Sequence, residues 1–111
     1  MSRTGYTSFS GASGKSYSFD IYTLDSVFDS VGGVYIFVNG ANCIGHSYDI
    51  PCDPILIDET NDLSELGSLK DSECLNKNDA DSLCVYFEDD EDLRRKIYGD
   101  ISKNYQDVPC E

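Results

Sequence analysis

The chain has 111 residues, 40% of them apolar, enough for one modest hydrophobic core and hardly for two domains. Its net charge is −13, from 21 acidic and 8 basic residues. Such a surface repels phosphate backbones over about a Debye length, which disfavours plain nucleic-acid binding and favours solubility or a basic partner.

No stretch approaches the roughly 20 apolar residues of a membrane span. Met1-Ser2-Arg3-Thr4-Gly5 does not read as the start of a signal peptide, so a cytoplasmic location and no membrane partner are expected. The cysteines are Cys43, Cys52, Cys74, Cys84 and Cys110. Their number is odd and no CxxC occurs, so free thiols are expected. The acid is uneven: Asp58 to Glu111 carries 16 acidic and 6 basic residues, against 5 and 2 before it.

Residues 1–16 are rich in Ser, Gly and Thr without a period and read as a flexible leader, ahead of a single α/β domain over 17–111. Gly11-Ala12-Ser13-Gly14-Lys15-Ser16 ends like a phosphate-binding loop, but Phe9 stands where such a loop needs its first glycine, and no apolar strand pattern precedes it. Tyr17 to Leu24 alternates as a half-exposed strand, with an irregularity near Ile21. Val34-Tyr35-Ile36-Phe37-Val38 has no polar gap and predicts a strand buried on both faces; Gly32-Gly33 before it suits a turn closed to residues with a Cβ. A buried phenol needs a partner, so Tyr35 is either an anchored core residue or one that faces a site.

Cys43 to Pro54 reads as irregular. Cys43, His46, Asp49, Cys52 and Asp53 are types that can hold zinc, but their spacing fits no standard site, and none is expected. Pro54 to Ile57 predicts a short strand, the hairpin partner of 34–38. Thr60 or Asn61 can cap a short helix with Asp62 and Glu65 in its first turn and Leu63, Leu66 and Leu69 on its apolar face. In the polar stretch Lys70 to Asp81, Cys74 and Leu75 look inward. Ser82 to Phe87 is a third apolar strand. Leu93, Ile97, Ile101 and Tyr105 recur every four residues and predict a helix over 90–105, headed by the acidic run Glu88 to Asp92. The fold class is α+β: helices on a small, mostly antiparallel, three- to four-stranded sheet.

The order of these motifs resembles the GIY-YIG nuclease superfamily over roughly residues 17 to 110. Gly33-Val34-Tyr35 takes the place of the first signature. Pro54 to Leu63 resembles the second strand and the following helix start, and Leu93 to Pro109 the later helix and its terminal stretch. The resemblance implies phosphodiester cleavage by two tyrosines, an arginine on the first helix and a metal-holding glutamate on the later one. Only Tyr35 matches. Leu56 stands at the second tyrosine, Leu66 near the arginine and Tyr98 near the glutamate, while Arg94 and Arg95 lie one turn before Tyr98. A site stripped of its metal ligand and arginine is expected to be inactive, with Tyr35, Tyr98, Arg94 and Arg95 vestigial and no metal or cofactor bound.

The expected role is an acidic protein-binding module, an inhibitor, immunity or anti-defence protein that mimics nucleic acid and occupies a basic nucleic-acid-binding surface. Its partner-binding residues are Asp58, Glu59, Asp62, Glu65, Asp89, Asp90, Glu91 and Asp92. The alternative is a metal-dependent endonuclease with a rearranged site that adds His46 to the two tyrosines and two arginines. A third possibility is an oligomeric subunit whose Tyr6, Phe9, Tyr17 and Phe19 meet a neighbour.

Overall fold

The computed structural model describes residues 3–24, 26–39, 54–80, 82–105 and 108–110. They form β1 (Arg3–Ser10), β2 (Ser16–Thr23), β3 (Gly33–Val38), β4 (Pro54–Thr60), a 3-10 helix (Leu63–Asp71), the short helix α1 (Glu73–Lys77), β5 (Ser82–Phe87) and the long helix α2 (Glu91–Asn104). One five-stranded sheet runs in the order β1-β2-β5-β3-β4, and every pairing in it is antiparallel. The architecture is α+β as expected, with more strands than the three or four that apolar patterning revealed.

The added strand is β1. Residues expected to be a flexible leader pair with β2 along its length, with a register shift at Arg3/Gly5 opposite Ile21 and Tyr22. Phe9 holds this strand: it is fully buried and meets Phe19 edge-on at 5.2 Å and Tyr105 at 5.9 Å. Burying one phenylalanine contributes about 2 kcal/mol. The burial of Phe9 and Phe19 inside the chain also removes them from the surface proposed to meet a neighbouring subunit. The phosphate-loop look-alike is the β1–β2 hairpin turn, closed by Gly11 N to the Lys15 carbonyl at 2.8 Å, with Gly14 at φ 91°. It joins strand to strand, not strand to helix.

All six residues of β3 are buried, and β5 and β4 flank it. Its alternate side chains feed two cores. Tyr35 and Phe37 join Tyr22, Leu56, Leu83 and Val85 under Leu63, Leu66 and Leu75 of the 3-10 helix and α1. Val34, Ile36 and Val38 join Phe19, Ile57 and Cys84 under Ile97 and Ile101 of α2. Adjacent Ile21 and Tyr22 are both buried because each face of β2 is covered at that point.

Gly32 and Gly33 are required for room; neither has a positive φ. A Cβ on Gly33 would lie 2.8 Å from the Tyr86 carbonyl oxygen, and one on Gly32 would lie 2.8 Å from that of Glu88 and closer still to the Arg94 guanidinium. Asp90 caps α2 by accepting from the Leu93 amide at 3.2 Å. Leu93, expected on the buried stripe, is 46% exposed, and Arg94 is buried in its stead. The cap of the 3-10 helix is Asp62, which accepts from the Ser64 amide, whereas the Thr60 hydroxyl accepts from the Asp62 amide.

Cys74 and Cys110 form a disulfide, which overturns the free-thiol expectation for both. The C-terminal segment runs beside edge strand β4, with Cys110 bridging Leu56 and its amide donating to the Ile55 carbonyl at 2.9 Å. That docking brings Cys110 to Cys74 on α1, 36 residues away in sequence. Cys84 is buried as a free thiol, and its pKa is pushed up to about 12 by burial.

Candidate functional site

The residues singled out from sequence come together along β4, where adjacent side chains leave opposite faces. Asp58 pairs across from Tyr35, and Glu59 from Val34. Tyr35 is 4% exposed, and its phenol donates to the Asp58 carboxylate. Burial first, and then the negative charge of Asp58, raises the Tyr35 pKa far above its ordinary value. The phenol is therefore a protonated donor at neutral pH. Asp58 also accepts from the Glu59 amide at 2.8 Å and remains exposed.

Arg94 reaches the same strand from α2. It is 3% exposed, and its guanidinium donates to Glu59 at 3.3 Å and to the carbonyls of Glu88 and Asp89 at 3.3 and 3.4 Å. A buried guanidinium needs this full set of acceptors. Arg95 is exposed; it pairs with Glu91 at 2.6 Å and lies 3.8 Å from Glu59. Tyr98 lies one turn on, near enough to Tyr35 to act on its titration. Tyr35 thus meets Asp58, Arg94 and Arg95 meet Glu59, and Tyr98 lies near Tyr35. His46, with Cys43, Asp49, Cys52 and Asp53, lies outside the described residues. Among the described residues, no three of His, Cys, Asp and Glu are grouped as a metal ion requires.

The acidic residues gather at one end of the sheet, where β3 begins and β4 and β5 end. Asp89 accepts from the Gly32 amide at 2.8 Å, Ser30 donates to Asp62 at 3.1 Å, and the Glu88 amide donates to the Gly32 carbonyl at 2.9 Å. These bonds draw the 3-10 helix, the start of β3 and the entry to α2 together. Ser64 and Ser30 donors hold the Asp62 pKa below the usual carboxylate range. Several of the acids expected to meet a partner thus have structural work as well: Asp62 and Asp90 cap helices, Asp89 holds Gly32, Glu59 pairs with Arg94 and Glu91 with Arg95. Asp58 lies further along β4, away from that end. Asp92 and Glu65 are exposed beside these groups.

A cavity of about 430 Å³ opens at the β4 edge, lined by Ile57, Asp58, Tyr98, Ser102, Tyr105, Val108 and Cys110. Positions 98, 102 and 105 are spaced by four and three, a pattern that the stripe of Leu93, Ile97, Ile101 and Tyr105 passed over. The cavity's other wall, Val108 and Cys110, carried no sequence signal, because it is brought there by the disulfide and by the pairing of Cys110 with β4. No helix among the described residues is long and apolar enough to cross a membrane. In comparisons with known proteins, the chain matches no family model, no curated protein and no solved structure.

Proposed function

We propose that the chain is a GIY-YIG-like domain that has lost phosphodiester cleavage and docks a basic protein partner on the acidic end of its sheet. The observation that carries this reading is the convergence of Asp29, Glu59, Asp62, Glu65 and Glu88 to Asp92 around the start of β3, with Arg94 and Arg95 drawn among them. Hydrogen bonds fix several of these carboxylates, so little side-chain freedom is lost when a cationic surface meets them.

The nuclease-like ancestry is supported by the pairing of 33–38 with 54–60, as the order of the motifs requires. Loss of its chemistry is supported by three positions. Leu66, near the expected arginine, is buried in the core. Tyr98 stands near the expected metal glutamate. Arg94, the nearest cation, is enclosed by Glu59 and two carbonyls.

Capture of partners from the native host at roughly 50 and 500 mM salt tests the reading. Binding should fall steeply with salt, and more so after Glu65→Lys with Asp92→Lys. Salt-independent binding, or binding indifferent to both reversals, would remove it. Incubation with plasmid and RNA in Mg²⁺ or Mn²⁺ tests the enzymatic alternative. Cleavage abolished by Tyr35→Phe would establish that alternative and end the proposal.

A further inference from the structure

Residues 108–110 lie against the outer edge of β4, outside the helices and strands. The Cys110 amide donates to the Ile55 carbonyl at 2.9 Å, and an isolated bridge joins Cys110 to Leu56. One backbone hydrogen bond contributes far less to this docking than the Cys74–Cys110 disulfide, which closes a separation of 36 residues. The two cysteines sit in unequal surroundings. Cys74 is half-buried on α1, whereas Cys110 is 5% exposed and belongs to the core beneath the 3-10 helix and α1. Asn78, one turn after Cys74, donates from Nδ2 to the Cys74 carbonyl at 2.8 Å and holds the same nitrogen 3.7 Å from each sulfur. That amide carries a second N–H, which a neutral disulfide accepts weakly and a thiolate accepts strongly.

We infer that the Cys74–Cys110 bond is a reversible thiol–disulfide switch, opened by a dithiol reductant, that docks residues 108–110 on β4 when oxidised and releases them when reduced. The reductant's thiolate attacks Sγ of Cys74, the less buried of the two cysteines. The bond to Cys110 breaks, and Cys110 leaves as a thiolate beside the Asn78 amide and then takes up a proton. The reductant's second thiol displaces Cys74 from the mixed disulfide. Two electrons and two protons thereby pass to the two cysteines, and the reductant departs as its own disulfide. Release strips the Ile55 carbonyl of its donor and removes Val108 and Cys110 from the wall of the neighbouring cavity. The oxidised chain thus closes the outer edge of β4 at Ile55 and Leu56, and the reduced chain opens it to a pairing strand. The switch stands apart from the acidic end of the sheet, and either can fail without the other.

The test is equilibration of the ¹⁵N-labelled full chain in mixtures of oxidised and reduced dithiothreitol, with trapped thiols assigned by mass. Loss of the Cys74–Cys110 bond should shift the amides of Ile55, Leu56, Ile57, Val108 and Cys110. It should raise exchange at Cys110 by about tenfold while Ile36 of β3 and Ile97 of α2 keep their protection. Reoxidation should restore the first spectrum. Cys74→Ser should show the released segment without reductant and change no further at residues 55–57 when reductant is added. Asn78→Asp, the same shape with a carboxylate in place of the amide, should slow reduction by about tenfold, because the leaving thiolate then meets a negative charge. Reduction that leaves residues 55–57 and 110 unmoved, exchange that rises equally at Ile36, a response at 55–57 that Cys74→Ser retains, or Asn78→Asp reduced as fast as the parent chain would each overturn the assignment.

Discussion

The two halves of α2 treat charge in opposite ways. At the N-terminal end Arg94 is buried, and the surrounding acceptors, Glu59 and two carbonyls, close on it with no space left over. Gly32 lacks a side chain so that the guanidinium can sit there at all. One turn further on, Tyr98 and Ser102 of the helix, with Tyr105 just after it, line a cavity at the β4 edge. Two neighbouring carboxylates of one strand have different donors: Glu59 pairs with the buried Arg94, and Asp58 with the neutral Tyr35 phenol. The donor that satisfies the first is a buried cation; the second takes the Glu59 amide and the Tyr35 phenol and stays exposed.

Breaking the closed half should have the largest effect. Arg94→Ala leaves Glu59 and the carbonyls of Glu88 and Asp89 without their donor and should cost about 3–5 kcal/mol, read from urea denaturation. Replacing both partners, Arg94→Met with Glu59→Leu, should recover much of that loss, because no charge is then left buried and unpaired. If Arg94→Ala costs less than about 1 kcal/mol, water is reaching the pair and the contrast between the two halves disappears.

The open half depends on a different fastening. Val108 and Cys110 form its far wall, and the Cys74–Cys110 disulfide ties that wall to α1 across 36 residues of chain. Closing a loop of that length contributes about 4 kcal/mol. Cys74→Ser, or reduction of the native chain, should lower stability by that order. It should also speed amide exchange at Cys110, whose N–H bonds Ile55, more than at Arg94, whose N–H bonds Asp90. Equal acceleration at both amides would mean that the two halves open as one unit.

The closed half was largely legible in the sequence. An uninterrupted apolar run marked β3, and the four-residue spacing of Ile97 and Ile101 marked α2 to within a residue at each end. Leu93 and Arg94 exchanged places because Gly32 makes a hole that only a long side chain with several donors can fill. That depends on a close approach between distant segments, which periodicity does not record. β1 was hidden because Phe9 is the one fully buried side chain over residues 5–10, so that an edge strand of Ser, Thr and Gly has the composition of a linker. The disulfide was hidden because thiol spacing says nothing of which segments fold side by side. Of the candidate site, Tyr35, Tyr98 and Arg94 were visible through their motif positions, while the cavity between α2 and the C-terminal segment was not.

Asp100 provides the finest test, because it holds a third kind of charge on α2, a carboxylate satisfied by hydroxyl and amide donors. It accepts from the Ser13 amide at 2.8 Å, the Ser13 hydroxyl at 2.6 Å and the Tyr17 phenol at 2.8 Å, and so pins the β1–β2 turn to the helix. Those donors, the Ser13 hydroxyl foremost, hold its pKa below the usual carboxylate range. A carboxylate with a depressed folded pKa adds stability at pH values above its unfolded value, about 3.9, and loses it as pH falls through the lower folded value. Asp100→Asn should therefore be less stable than the parent chain near pH 7, by less than either change above. The gap should narrow as pH falls below about 4. Asp62 titrates in the same direction, but it is common to both proteins and cancels in their difference. Urea denaturation of the two chains at matched pH values measures that difference. A gap that stays constant from neutral to acid would show that Asp100 contributes through shape alone, leaving the hairpin held to α2 by Phe9 and by the bond from the Ala12 amide to the Asp100 carbonyl.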